Sequence, residues 1–147
     1  MNSRNPLSVI AIVLALAGPG ALAQETAALD KWQSVAKTDN QEAFVNGSSI
    51  VVVGEQLEAR VKQNFAQPQP SAKEGKTYLS SRTTYRFDCA QRRMAMKEVR
   101  TYAGSDLQGE PVQKATASDK NLQWLDAPDS TVFGELLDYV CGRSPGG

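Results

Sequence analysis

Two cysteines, Cys89 and Cys141, stand 52 positions apart in a chain of 147 residues, and their surroundings constrain the fold more than any other feature. Cys89 closes a run in which Thr83, Tyr85 and Phe87 share its side, while Arg82, Thr84, Arg86 and Asp88 take the other. A period of two marks a strand with one face buried. Cys141 closes a run in which Val132, Phe133, Leu136, Leu137 and Val140 recur at helical spacing, with Glu135 and Asp138 opposite. Both cysteines therefore face apolar surface. A bond between them would clamp a C-terminal helix flat onto a sheet, an α+β arrangement. Closing a loop of that length is worth roughly 4 kcal/mol in the chain-entropy model. The rival uses, a metal pair or a catalytic thiol, call for a His or a third Cys, and the chain has neither.

A disulfide needs an oxidising compartment, and the first 23 residues supply the address. Arg4 is a positive n-region and residues 7–17 are a short apolar run. Gly18, Pro19 and Gly20 break that run, and Ala21-Leu22-Ala23 forms a small-x-small cleavage pattern. The run is too short for a bilayer, which takes about 20 residues. Residues 1–23 are thus expected to be a cleaved signal peptide, and 24–147 a single domain with its core at about 32–141. The product is expected in the periplasm or outside the cell. Gln24 stands where a lipoprotein would carry Cys, so no lipid anchor is expected. Removing 23 of 147 residues leaves 124, with 15 basic groups against 16 acidic ones.

Around Trp32 and Val35 the spacing suits a short helix or a frayed lead-in. Phe44-Val45 runs into an Asn46-Gly47 turn, and residues 50–53 form a β-branched run ending at Gly54-Glu55. Leu57, Ala59, Val61 and Phe65 then alternate with Glu58, Arg60 and Lys62. Residues 66–76, rich in Pro, Gln and Lys, read as a mobile loop. After the cysteine strand, residues 92–102 read as another long strand of ambiguous parity. Met94, Met96 and Tyr102 compete there with Ala95 and Val99 for the core. Val112 and residues 122–125 supply one or two last strands. Beyond Pro128, Asp129 or Ser130 is placed to cap the helix.

The succession also resembles a family. Its marks are Asp88-Cys89, Arg92-Arg93, Tyr102 before a Gly turn, Trp124, Pro128, Ser130 and a helix ending in Val140-Cys141. With Trp32, Phe44-Val45 and Ser49-Ile50, these residues resemble the surface-adhesin protein E family, small exported proteins of Gram-negative bacteria. The resemblance implies an antiparallel sheet of about six strands, with a C-terminal helix held on one face by a disulfide. It also implies adhesin-like binding of host matrix or plasma proteins. The adhesin that names the family is lipid-anchored, whereas Gln24 offers no such anchor, and no host-binding residue maps onto this chain.

The residues point away from catalysis. Without His there is no imidazole base for Ser48, Ser49, Ser80 or Ser81. No phosphate-cradling glycine motif or calcium loop occurs, so no cofactor and no metal are expected. A formal net charge of zero argues against nucleic acid as a partner. Charge is nevertheless segregated along the chain. Residues 82–100 carry Arg82, Arg86, Arg92, Arg93, Lys97 and Arg100 against two acids, a net of +4. Residues 101–147 carry a net of −4. Strands and helix can pair these charges among themselves. Alternatively, Arg82 and Arg86, on the face away from the helix, offer a basic patch to an acidic partner. The expected function is non-enzymatic binding of a host or envelope protein, as a monomer or as a dimer through a sheet edge. The alternative is inhibition of a secreted hydrolase such as lysozyme, with loop 66–76 entering the cleft. A hydrolase using acidic residues ranks last, for want of any motif.

Overall fold

The computed structural model describes residues 31–143. The leader expected at 1–23 lies outside these residues. Among the described residues eight strands and one α-helix follow in order: β1 (Trp32–Lys37), β2 (Gln41–Asn46), β3 (Val51–Val53), β4 (Gln56–Pro70), β5 (Thr77–Asp88), β6 (Arg93–Tyr102), β7 (Pro111–Thr116), β8 (Trp124–Asp126) and α1 (Val132–Cys141). They form one antiparallel sheet in the order β1-β2-β4-β5-β6-β7, with β3 beside β4 and β8 beside β6. Helix α1 lies on one face, touching β1 and β2 and reaching β4, β5 and β6. Ala43, Val45, Val61, Phe87 and Met94 meet Leu136, Leu137 and Val140 there. Tyr85 bridges Phe87 and Phe133 edge-to-face, with centroids 6.2 and 6.1 Å away. Burial pushes the Tyr85 phenol up to about 12. The expected tether is present: Cys89 and Cys141 are bonded, their Cα atoms 5.8 Å apart.

Several local expectations are corrected. The segment around Trp32 and Val35 is strand β1, not a helix. Ser34 opposes Phe44 and Ala36 opposes Ala43, so Val35 is a bulge residue. The extra residue shifts the parity and imitates helical spacing. The stretch 66–76 is a loop only in its second part. β4 runs on to Pro70, leaving only 71–76 as the connection. Pairing with β2 ends at Phe65, so Pro68 and Pro70 lie where β4 has no strand on that side among the described residues. The turn 71–76 is anchored to β7, because Ser71 Oγ and the Ala72 amide both donate to Gln113 Oε1 at 3.1 Å.

Cys89 sits one residue past β5, at the start of the turn into β6. The helix is capped by Thr131, whose Oγ1 accepts from the Gly134 amide at 3.1 Å and donates to the Pro128 carbonyl at 2.6 Å. Neither Asp129 nor Ser130 fills that role. The parity of β6 is resolved by a bulge at Lys97, since Tyr85 opposes Met96 while Thr84 opposes Glu98. Met94 and Met96 both precede the bulge and share the face of Phe87 and Tyr85; Met94 is buried in the core, and Met96 stands 44% exposed.

Candidate functional site

The face away from α1 gathers the charged residues of the long strands. Arg82 and Arg86 both project there, as the alternation of β5 requires, but their surroundings differ. Arg86 is buried. Its guanidinium reaches Glu58 at 3.1 Å and Asp119 at 3.1 Å, and Lys97 joins Asp119 at 2.7 Å. The Lys97 ammonium, with help from Arg86, holds the Asp119 carboxyl below the usual carboxylate range. Arg86 is thus committed to a network within the chain.

Arg82 has no carboxylate partner among the described residues. It faces Lys62 on β4 and Arg100 on β6, and Arg100 in turn faces Lys114 on β7. Four cations therefore form one row across four adjacent strands. Like charges directly opposite destabilise a sheet. Two of the four are offset: Arg100 Nε lies 3.2 Å from Glu98, and Lys62 is paired with Asp106. Lys114, like Arg82, has no carboxylate partner among the described residues. At the β4 end the Lys62 ammonium also sits 4.4 Å from the Phe44 ring centroid and 5.5 Å from that of Trp32, a cation–π arrangement.

The β6–β7 connection folds back over this face beside the row. The Asp106 amide donates to Asn64 Oδ1 at 2.8 Å, and the Leu107 amide donates to Ser80 Oγ at 2.9 Å. Ser80 Oγ donates in turn to the Gly104 carbonyl at 2.6 Å. These bonds hold Asp106 and Leu107 in left-handed backbone, at φ 56° and 62°. They set the Asp106 carboxylate on Lys62, whose hydrogen bond keeps that carboxyl below its ordinary range. Sequence reasoning identified Arg82 and missed Lys62, Arg100 and Lys114 as its neighbours.

A second feature lies at the edge. Among the described residues β3 pairs with β4 alone, and Val51 and Val52 stand 46% and 60% exposed. The recess bounded by Gln91, Arg92 and 126–129, about 300 Å³, is shallow and largely claimed by Arg92. That guanidinium clamps Asp129 at 2.7 Å and Asp138 at 2.6 Å, tying the β5–β6 turn to the helix. Among the described residues no group of three or more His, Cys, Asp or Glu is arranged to hold a metal ion.

The family model for surface-adhesin protein E matches residues 32–142, from the first strand through the disulfide-bonded helix. The chain belongs to the surface-adhesin protein E family. Solved structures of protein E from Haemophilus influenzae share its fold. One superposes with a TM-score of 0.53 at 15% identity, covering 76% of this chain and 83% of that one. A second crystal form gives 0.54 at 15%, covering 76% and 87%. Protein E from a non-typeable strain gives 0.50 at 17%, covering 75% of each. At these identities the likeness to the solved structures is one of fold. No curated protein matches the chain. Membership of that family makes this an adhesin-like surface protein. No helix among the described residues is long and apolar enough to cross a membrane.

Proposed function

We propose that the protein is an exported, non-enzymatic binding domain whose ligand is a protein of the host matrix or of the cell envelope, joined through the β3 edge. The observation that carries this reading is the exposure of Val51 and Val52 on a strand bonded on one side only among the described residues. A short apolar edge is a template for an added strand, with backbone hydrogen bonds giving affinity and flanking side chains giving choice. In a two-residue hairpin through Gly54-Glu55 the closing Val53·Gln56 pair is hydrogen-bonded, so the alternation of the ladder turns the Val52 backbone groups outward. Membership of an adhesin family supports the same reading.

The test compares capture from matrix and envelope extracts by the wild-type chain and by Val52→Lys, a charge of the kind that blocks strand addition. Wild-type chain is expected to retain a protein that the variant releases. Equal capture by both, or none by either across such extracts, overturns the proposal.

Inhibition of a secreted hydrolase is the second reading. The observation favouring it is that the exposed 71–76 tip is preorganised by backbone bonds from Ser71 to Lys76 and from Lys76 to Lys73. Undiminished lysis by lysozyme at excess protein rules out lysozyme as the target.

A further inference from the structure

We propose that the face of the sheet away from α1 is a binding site for a linear acidic polysaccharide, whose sulfates or carboxylates are held by Arg82, Arg100 and Lys114, in a row that the buried Lys62, paired with Asp106, closes at its β4 end. This site is separate from the β3 edge and does not depend on the reading given above. The four residues oppose one another in register on β4, β5, β6 and β7. At a strand spacing of about 4.8 Å the row spans about 14 Å. It is short of negative charge, since Arg82 and Lys114 meet no carboxylate among the described residues. A further cation stands at its β7 end, where Lys73 joins Arg100 and Lys114 in lining a recess of about 280 Å³. The chain's own Asp106 already shows an oxyanion seated at the other end, on Lys62. The two central guanidiniums can each take a sulfate or carboxylate through two parallel N–H bonds.

Three observations favour a polysaccharide over a protein. Protein interfaces are depleted of charge at their centres and built around apolar anchors. Here the centre is charged, and the exposed large apolar residues, Val51, Val52, Met96 and Leu125, all stand outside the row. An extended acidic peptide presents same-side carboxylates about 6.7 Å apart, too coarse for a row stepping at about 4.8 Å. A sugar ring is close to one strand spacing in length, so a chain with one anionic group per ring keeps step with the cations. Phe44 and Trp32 beside Lys62 offer aromatic rings against which the C–H face of a terminal sugar can stack.

Retention on immobilised heparin across a salt gradient tests the site, with poly-glutamate as the competing probe. The full exported chain is expected to be retained. Arg82→Thr with Lys114→Thr should weaken binding by about ten-fold and lower the slope of log affinity against log salt by about 1.5, as expected for two lost ionic contacts. Lys120→Thr, a cation outside the row, should elute with wild type. The proposal is overturned if wild-type chain passes through unretained, if the double variant binds like wild type, or if Lys120→Thr weakens binding equally. Poly-glutamate binding as tightly as heparin overturns it in favour of an acidic protein segment. Thermal melts of each variant confirm that a loss is not one of folding.

Discussion

Arg82 and Arg86 are four positions apart on one strand and carry the same side chain, yet the fold uses them in opposite ways. Arg86 is closed in by Glu58 and Asp119 and works for stability. Arg82 faces Lys62 and Arg100, and both contacts are repulsive. Replacing it with Thr, a good strand former, should therefore stabilise the protein, by up to about 1 kcal/mol. A rise in the urea midpoint at unchanged slope is the expected result, and a fall would mean that Arg82 has packing value the charge argument ignores. The residue types alone identify both arginines as surface-facing cations. What distinguishes them is the presence of Glu58, opposite Arg86 on β4, and of Asp119, more than thirty positions away and brought close by the β7–β8 connection.

At the level of elements, the row of cations exists because of bulges. Counting back from the turn between β5 and β6, where Asp88 opposes Arg93, would set Arg82 opposite Val99; the bulge at Lys97 moves it to Arg100. Counting from the β4–β5 turn would set Arg82 opposite Phe65, and the irregularity between Asn64 and Gln69 moves it to Lys62. A third shift, next to Tyr102, brings Lys114 opposite Arg100 instead of Gln113. Strand identity and face follow from alternation, but insertions of one to three residues leave little trace in composition, so register was not legible. The helix shows the complementary case. Its apolar stripe is plain in the sequence, whereas the need for Gly134 is not. A Cβ there would lie 2.1 Å from the Pro128 carbonyl oxygen, which Thr131 also holds in place. Gly134→Ala should thus destabilise by about 2 kcal/mol, although Ala is the better helix former. An unchanged melting temperature would show that the turn before α1 yields easily.

For the whole molecule, the disulfide connects the β5–β6 turn to the end of the last element and closes a 52-residue separation. Cys89→Ser with Cys141→Ser should cost about 4 kcal/mol, measured as a lower denaturant midpoint, and an equal midpoint would refute that role. The sequence by itself determined the α+β class, the antiparallel sheet, the helix on one face and the bond that holds it. These depend on period and on paired cysteines, which are local or countable properties. Only the tertiary structure decided that the stretch around Trp32 is a strand, that Asp106 is folded back onto Lys62, and that four cations from four strands stand in line. Those outcomes depend on register and on one loop crossing a face. Both are fixed by hydrogen bonds between residues far apart in the chain, such as Asp106 with Asn64 and Leu107 with Ser80, and no local pattern encodes them.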